Sequence, residues 1–118
     1  EPDRVLAKCI SEELKKRDLL TTIVTSADRA VETADNISPD AVISELSLPG
    51  HSGTEFIYEF RTYKDWQNIP LIIYSSIKPS KKVLKSKDWT LLQIDKILYK
   101  PEVSLSQLSE AVADLIVK

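Results

Sequence analysis

The sequence predicts a three-layer α/β sandwich, a parallel β-sheet flanked by helices. Three observations carry this expectation. Segments rich in β-branched residues alternate with segments whose apolar residues recur every three or four positions. The strand candidates at 41–45 and 69–75 are short and mostly apolar, as strands buried on both faces are. No repeat, linker or low-complexity stretch divides the 118 residues, so 1–118 read as a single domain, large enough to bury a real core.

Residues 2–17 read as a helix. Pro2 suits a first-turn position, Leu6, Ile10 and Leu14 recur at i, i+4, i+8, and Lys15, Lys16 and Arg17 meet the negative end of the helix dipole. Residues 20–25, Leu-Thr-Thr-Ile-Val-Thr, form a strand candidate. A short helix over 27–36 is closed by the Ser38-Pro39-Asp40 turn. The strand at 41–45 follows, and the loop at 48–53 holds both glycines. A helix over 54–63 puts Phe56, Ile57 and Phe60 on one face. Residues 69–75 are a third strand, 80–92 a helix of weaker patterning, and 94–99 a further strand. The last helix begins at Ser104, has Gln107 as its capping-box partner, and buries Leu105, Leu108, Val112, Leu115 and Ile116.

Sixteen basic residues against eighteen acidic ones leave a formal charge of −2, which favours neither nucleic acid nor an anionic membrane as partner. The longest run without a charged or small polar residue, 69–74, is far shorter than the roughly 20 residues of a membrane span. No signal-peptide pattern opens the chain. The expectation is a soluble cytoplasmic protein. Cys9 is the only cysteine, which leaves no intrachain disulfide or thiolate cluster, and it is read as a small buried apolar residue. His51, the only histidine, removes most histidine-based metal sites and a Ser-His-Asp hydrolase; it stays unassigned. Trp66 is expected to cover the sheet edge and Trp89 to join the core.

In parallel sheets chemistry gathers at the carboxyl ends of the strands. That rule selects Glu45, Ser75 and Lys100, each at or just past a strand end. A carboxylate, a hydroxyl and an ammonium placed together suit phosphoryl transfer. The carboxylate attacks phosphorus, a divalent cation spreads charge, and the lysine and hydroxyl hold the phosphoryl oxygens. Spacing alone favours a plainer arrangement: Glu45 and Lys100 pair at the rim and Ser75 caps a loop.

Residues 39–53, Pro-Asp-Ala-Val-Ile-Ser-Glu-Leu-Ser-Leu-Pro-Gly-His-Ser-Gly, resemble the receiver domain of bacterial response regulators. There an apolar strand ends in the phosphoacceptor aspartate, and a Leu-Pro-Gly turn and a second glycine follow. Residues 69–76 resemble the family's next strand, which ends in the phosphoryl-sensing Thr or Ser, the place of Ser75. Tyr99-Lys100-Pro101 resembles the Lys-Pro step, whose lysine contacts the phosphoryl group and whose proline often follows a cis bond. The resemblance covers almost the whole chain. It implies a flavodoxin- or CheY-like sandwich and a part in two-component signalling. The partner implied is a histidine kinase or an output protein, with a dimer as a further option and no membrane or nucleic-acid partner.

The departures from the family pattern shape the expectation. Glu45 stands where the phosphoacceptor aspartate would be; its extra methylene displaces the carboxylate, and about 1 Å of misplacement can cost on the order of a hundredfold in rate. The resemblance therefore implies a pseudo-receiver that is not phosphorylated and is no enzyme, with Glu45 mimicking the activated state. The alternative is a working Mg²⁺-dependent phosphoacceptor. The family's acidic pair falls on Glu1 and Pro2, with Asp3 next. Pro2 offers no side-chain ligand, so Glu1, Asp3 and Glu45 would hold Mg²⁺ weakly at most, and no other cofactor is expected. At a helix start Asp3 would equally serve the dipole. The family's mobile aromatic aligns near Ile97, more simply a core residue, and Glu102 follows the Lys-Pro step in place of an apolar aromatic.

If Glu1 marks the end of the family's first strand, that strand precedes the sequence, and its absence opens a gap in the sheet order 2-1-3-4-5. The other assignment, a strand at 5–10, conflicts with Lys8 and with the helical spacing of Leu6, Ile10 and Leu14. Finally, Lys78, Lys81, Lys82, Lys85 and Lys87 make a basic stretch. Such runs are commonly solvated faces, but this one lies where the resemblance implies a partner surface for an acidic protein.

Overall fold

Three short strands pair side by side, all parallel, in the order β1-β2-β3. They are β1 (Val42–Ser44), β2 (Leu71–Ser75) and β3 (Lys96–Tyr99). The computed structural model describes residues 1–48 and 53–116, less the side chains of Val83 and Asp88. His51 and most of the expected Leu-Pro-Gly turn lie outside the described residues.

The middle strand explains the layering. β2 is buried at every position, which is why its sequence shows no polar alternation. Successive side chains point to opposite faces. Leu71 and Ile73 join Ala27 and Ala34 of α2 (Ala27–Ile37) and Phe56, Ile57 and Phe60 of α3 (Gly53–Thr62). Ile72 and Tyr74 join Ile10 and Leu14 of α1 (Arg4–Lys15) and Leu108 and Val112 of α6 (Leu105–Ile116). Two helical layers thus sandwich one parallel sheet, as the sequence predicts.

Helix limits follow local chemistry. Asp3 is the N-cap of α1; its carboxylate accepts from the N–H groups of Val5 and Leu6, so the helix starts past Pro2. At the other end Asp18 adopts φ 61°, and Leu19 N–H donates to Leu14 C=O at 3.1 Å while Asp18 N–H donates to Lys15 C=O at 3.0 Å. This Schellman-type closure stops the helix before Arg17. The buried stripe of α1 is Ala7, Ile10 and Leu14. Cys9 is exposed, contrary to expectation: it sits one residue, about 100° of rotation, from Ile10. The capping box of α6 forms as predicted, with Ser104 N–H on Gln107 Oε1 at 2.8 Å and Gln107 N–H on Ser104 Oγ at 3.1 Å.

Two other expectations are corrected. The helix read over 80–92 is two short ones, α4 (Lys81–Leu84) and α5 (Lys87–Leu91). They divide at Ser86, whose hydroxyl accepts from Trp89 N–H at 3.3 Å and restarts the helix. The segment 20–25 is not a strand; it carries no regular secondary structure, and among the described residues β1 pairs with β2. A strand exists only with a partner, and β-branched composition cannot supply one. Residues 5–10 are helical, so they do not fill the gap either. Trp66 is buried against Phe60, centroids 4.9 Å apart, and Trp89 packs half-buried on the same core. Ile97 likewise packs on that core.

Candidate functional site

The parallel arrangement aligns three carboxyl ends. β1 runs into Glu45, β2 into Ser75 and Ser76, and β3 into Lys100. Glu45 is only 3% exposed. A carboxylate removed from water needs donors or a cation. Glu45 Oε1 has both: Ser76 N–H at 3.2 Å, the Ser76 hydroxyl at 2.9 Å and Lys100 Nζ at 3.8 Å. Its other oxygen, Oε2, is buried with no hydrogen-bond partner.

Lys100 has a nearer partner. Its ammonium lies 2.6 Å from Glu1 Oε1, and both side chains are largely buried. Glu1 Oε2 also accepts from Asp3 N–H at 3.0 Å. Lys100 further approaches the ring face of Tyr74, 5.8 Å from its centroid, a cation–π distance. Burial pushes the Tyr74 hydroxyl above its usual pKa, the Lys100 charge opposing and Glu1 adding to the rise. That hydroxyl donates to Val103 C=O at 2.9 Å.

The structure thus brings Glu1, Glu45 and Lys100 together and sets two expected members apart. Ser75, fully buried, accepts from Ile77 N–H at 2.9 Å, which is the loop-capping role; the hydroxyl that meets Glu45 is the next one, Ser76. Reading strand ends from sequence did not separate two adjacent serines. Asp3 is the other: its carboxylate caps α1 and is exposed. Among the described residues no group of three or more His, Cys, Asp or Glu side chains could hold a metal ion. The orphaned Oε2 of Glu45 invites a cation, but Glu1 is taken by Lys100 and Asp3 by the helix end. The residues present do not fit tight Mg²⁺, which wants near-octahedral hard oxygens. The peptide before Pro101 is trans, and Glu102 faces Lys78 at 3.4 Å.

Solved structures decide the fold. The chain superposes on a sensor protein from Polaromonas sp. JS666 with a TM-score of 0.85 at 20% identity, covering 99% of this chain and 91% of that one. The receiver domain of the Francisella response regulator 1452 gives 0.84 at 20% identity, with coverage of 99% and 92%. The signal receiver domain of a histidine kinase from Syntrophus aciditrophicus gives 0.83 at 21%, with coverage of 99% and 86%. The fold is that of a receiver domain. No family model and no curated protein matches the sequence. In a receiver fold Glu45, Ser76, Lys100 and Glu1 share one pocket at the carboxyl edge. The five lysines at 78, 81, 82, 85 and 87 are all exposed, in and around α4 and α5. No helix among the described residues is long and apolar enough to cross a membrane.

Proposed function

We propose that this chain is a receiver-like signalling module of the two-component type that acts through protein contacts without phosphorylation of Glu45. One observation carries the reading. The Glu45 carboxylate already engages the donors and the cation that a phosphoryl group would need, through Ser76 N–H, the Ser76 hydroxyl and Lys100. The pocket is charge-matched by its own glutamate, so the docking surface is set without a phosphodonor. The missing third carboxylate supports the same reading, because phosphoryl transfer to a carboxylate relies on a divalent cation to spread charge. The module is not an enzyme; its partner is a histidine kinase or an output protein in the cytoplasm, and the exposed lysines of α4 and α5 suit an acidic face of that partner.

The buried, unpartnered Oε2 favours the opposite reading, a phosphoacceptor with a free nucleophilic oxygen. Intact-mass spectrometry after incubation with acetyl phosphate and Mg²⁺ separates the two. The expected result is no acyl-phosphate adduct on the native chain. A hydroxylamine-labile adduct on native Glu45 would overturn the proposal.

A further inference from the structure

The formal charge of −2 is the sum of blocks of opposite sign. Residues 28–59 carry seven acidic side chains against Arg29, a formal charge of −6, and residues 78–96 carry six lysines against two aspartates, a charge of +4. Folding puts the two blocks at different ends of one helical layer. Residues of α2, α3 and α5 pack on the same core. α2 lies against α3, and α3 reaches the end of α5 through Arg61, which donates to Leu92 C=O and Gln93 C=O. α3 therefore stands between α2 and the α4–α5 segment, and the acidic and basic ends of the layer do not meet within one molecule.

Helical spacing gathers each charge. Ala27 and Ala34 turn α2 to the core, which leaves Asp28, Glu32 and Asp35 exposed along one stripe at i, i+4 and i+7. On α3 the buried residues are Phe56, Ile57 and Phe60, and Glu55, Tyr58 and Glu59 share the exposed side, with Tyr58 44% exposed. Arg29 is exposed on α2 as well. At the basic end Lys81 and Lys85 are one turn apart, and so are Lys87 and Leu91, with Leu91 66% exposed. Among the described residues none of Glu32, Asp35, Glu59, Lys81, Lys85 and Lys87 has an ion-pair partner. Each end keeps its charge for something outside the molecule.

We propose that a second copy of this chain occupies the lysine surface, docking its acidic α2–α3 end onto α4 and α5 head to tail. Charge complementarity selects the occupant: the lysine end repels its own kind, whereas the opposite end of the same layer presents carboxylates on neighbouring helices. Each patch also holds an exposed apolar side chain, Tyr58 among the carboxylates and Leu91 among the ammonium groups. Brought together they give an apolar centre with a charged rim, and the Tyr58 ring offers its face to a lysine. Because the two ends differ, every added copy leaves one of each sign free, so association runs past the dimer. Exposed ion pairs contribute little singly and are screened by salt, which makes the contact weak and salt-sensitive. It uses the docking surface of the functional reading above but no residue of the Glu45 pocket, so its failure would leave the behaviour of Glu45 untouched.

Sedimentation equilibrium over a range of protein concentrations is the test. In about 10 mM salt, where the screening length is roughly 30 Å, the weight-average mass of the native chain should climb with concentration beyond that of a dimer. In about 1 M salt, with screening within roughly 3 Å, it should fall back to the monomer mass of 13.3 kDa. Two triple variants then reverse one end each, Lys81→Glu/Lys85→Glu/Lys87→Glu and Glu32→Lys/Asp35→Lys/Glu59→Lys. All six side chains are exposed, so thermal unfolding should remain cooperative in both. Each variant alone should stay at the monomer mass in low salt, and an equimolar mixture should associate again, because each then carries the sign that the other has lost. A native chain that is monomeric in low salt, a mass that stops at the dimer, or a mixture of the two folded variants that stays monomeric would each overturn the head-to-tail contact.

Discussion

Lys100 makes three contacts at once, to Glu1 at 2.6 Å, to Glu45 at 3.8 Å and to the face of Tyr74. Its neighbour Tyr74 offers the clearest pH dependence of the pocket. Burial raises the Tyr74 pKa above its usual value, with Lys100 acting against the rise. An unfolded tyrosine ionises near pH 10, so above that pH the unfolded chain gives up a proton that the native chain keeps. Stability from this group is therefore complete below about pH 10 and is lost as pH climbs toward the raised native value. In urea unfolding between pH 7 and 11, Tyr74→Phe should decline less steeply on the alkaline side than the native chain. At neutral pH it should be less stable by about 0.5–1.5 kcal/mol, for the lost bond to Val103 C=O. Equal alkaline slopes would remove Tyr74 from the titration. At this scale the sequence was half legible: residue type and strand-end position named Glu45 and Lys100, but the choice of Ser76 over Ser75 depends on how the chain turns after β2.

Among the elements, α3 is placed with the least tolerance. Gly53 opens this helix under the end of β1, its N–H on Leu46 C=O at 2.7 Å. A Cβ at Gly53 would overlap the carbonyl of Glu45 and stand 2.6 Å from Leu46 Cα. The glycine is needed for close approach, and the atoms it admits are the backbone of the pocket residue itself. Gly53→Ala should force α3 away from β1, costing on the order of 1–3 kcal/mol as overpacking does. Chemical-shift changes should concentrate at Leu46 and Ser76; unchanged stability in thermal unfolding would show that the strand end yields freely. Helices with a strong apolar stripe and a side-chain cap, such as α6 with Ser104 and Gln107, were readable to within a residue or two. The division of α4 from α5 was not, because Ser86 serves a helix interior tolerably and a helix start well, and residue type alone does not choose between them. The segment 20–25 failed for another reason: its composition is that of a strand, and pairing is a property of two segments.

Across the whole molecule the layering was legible, because alternation of strand and helix patterns leaves few ways to bury both faces of β2. What the pattern did not contain was how the amino edge of the sheet is tied down. Arg61 of α3 does this with one guanidinium. Its Nε donates to Leu92 C=O at 2.8 Å, Nη1 to Trp66 C=O at 2.7 Å and Ile69 C=O at 2.9 Å, and Nη2 to Gln93 C=O at 2.8 Å. It so joins α3, the turn before β2 and the end of α5, far along the sheet from the pocket. The planar fork reaches four carbonyls that a lysine's ammonium could not span together. Arg61→Met should lower unfolding stability by about 2–4 kcal/mol, since several charge-assisted bonds to partly buried carbonyls go unmade. Arg61→Lys should recover little of that loss despite keeping the charge. If charge rather than fork geometry held these segments, the lysine variant would unfold at nearly the native denaturant midpoint. The Ser76 amide resonance, at the opposite end of β2, should keep its position in both variants, because the contacts of Glu45 depend on the carboxyl edge and not on the edge that Arg61 ties.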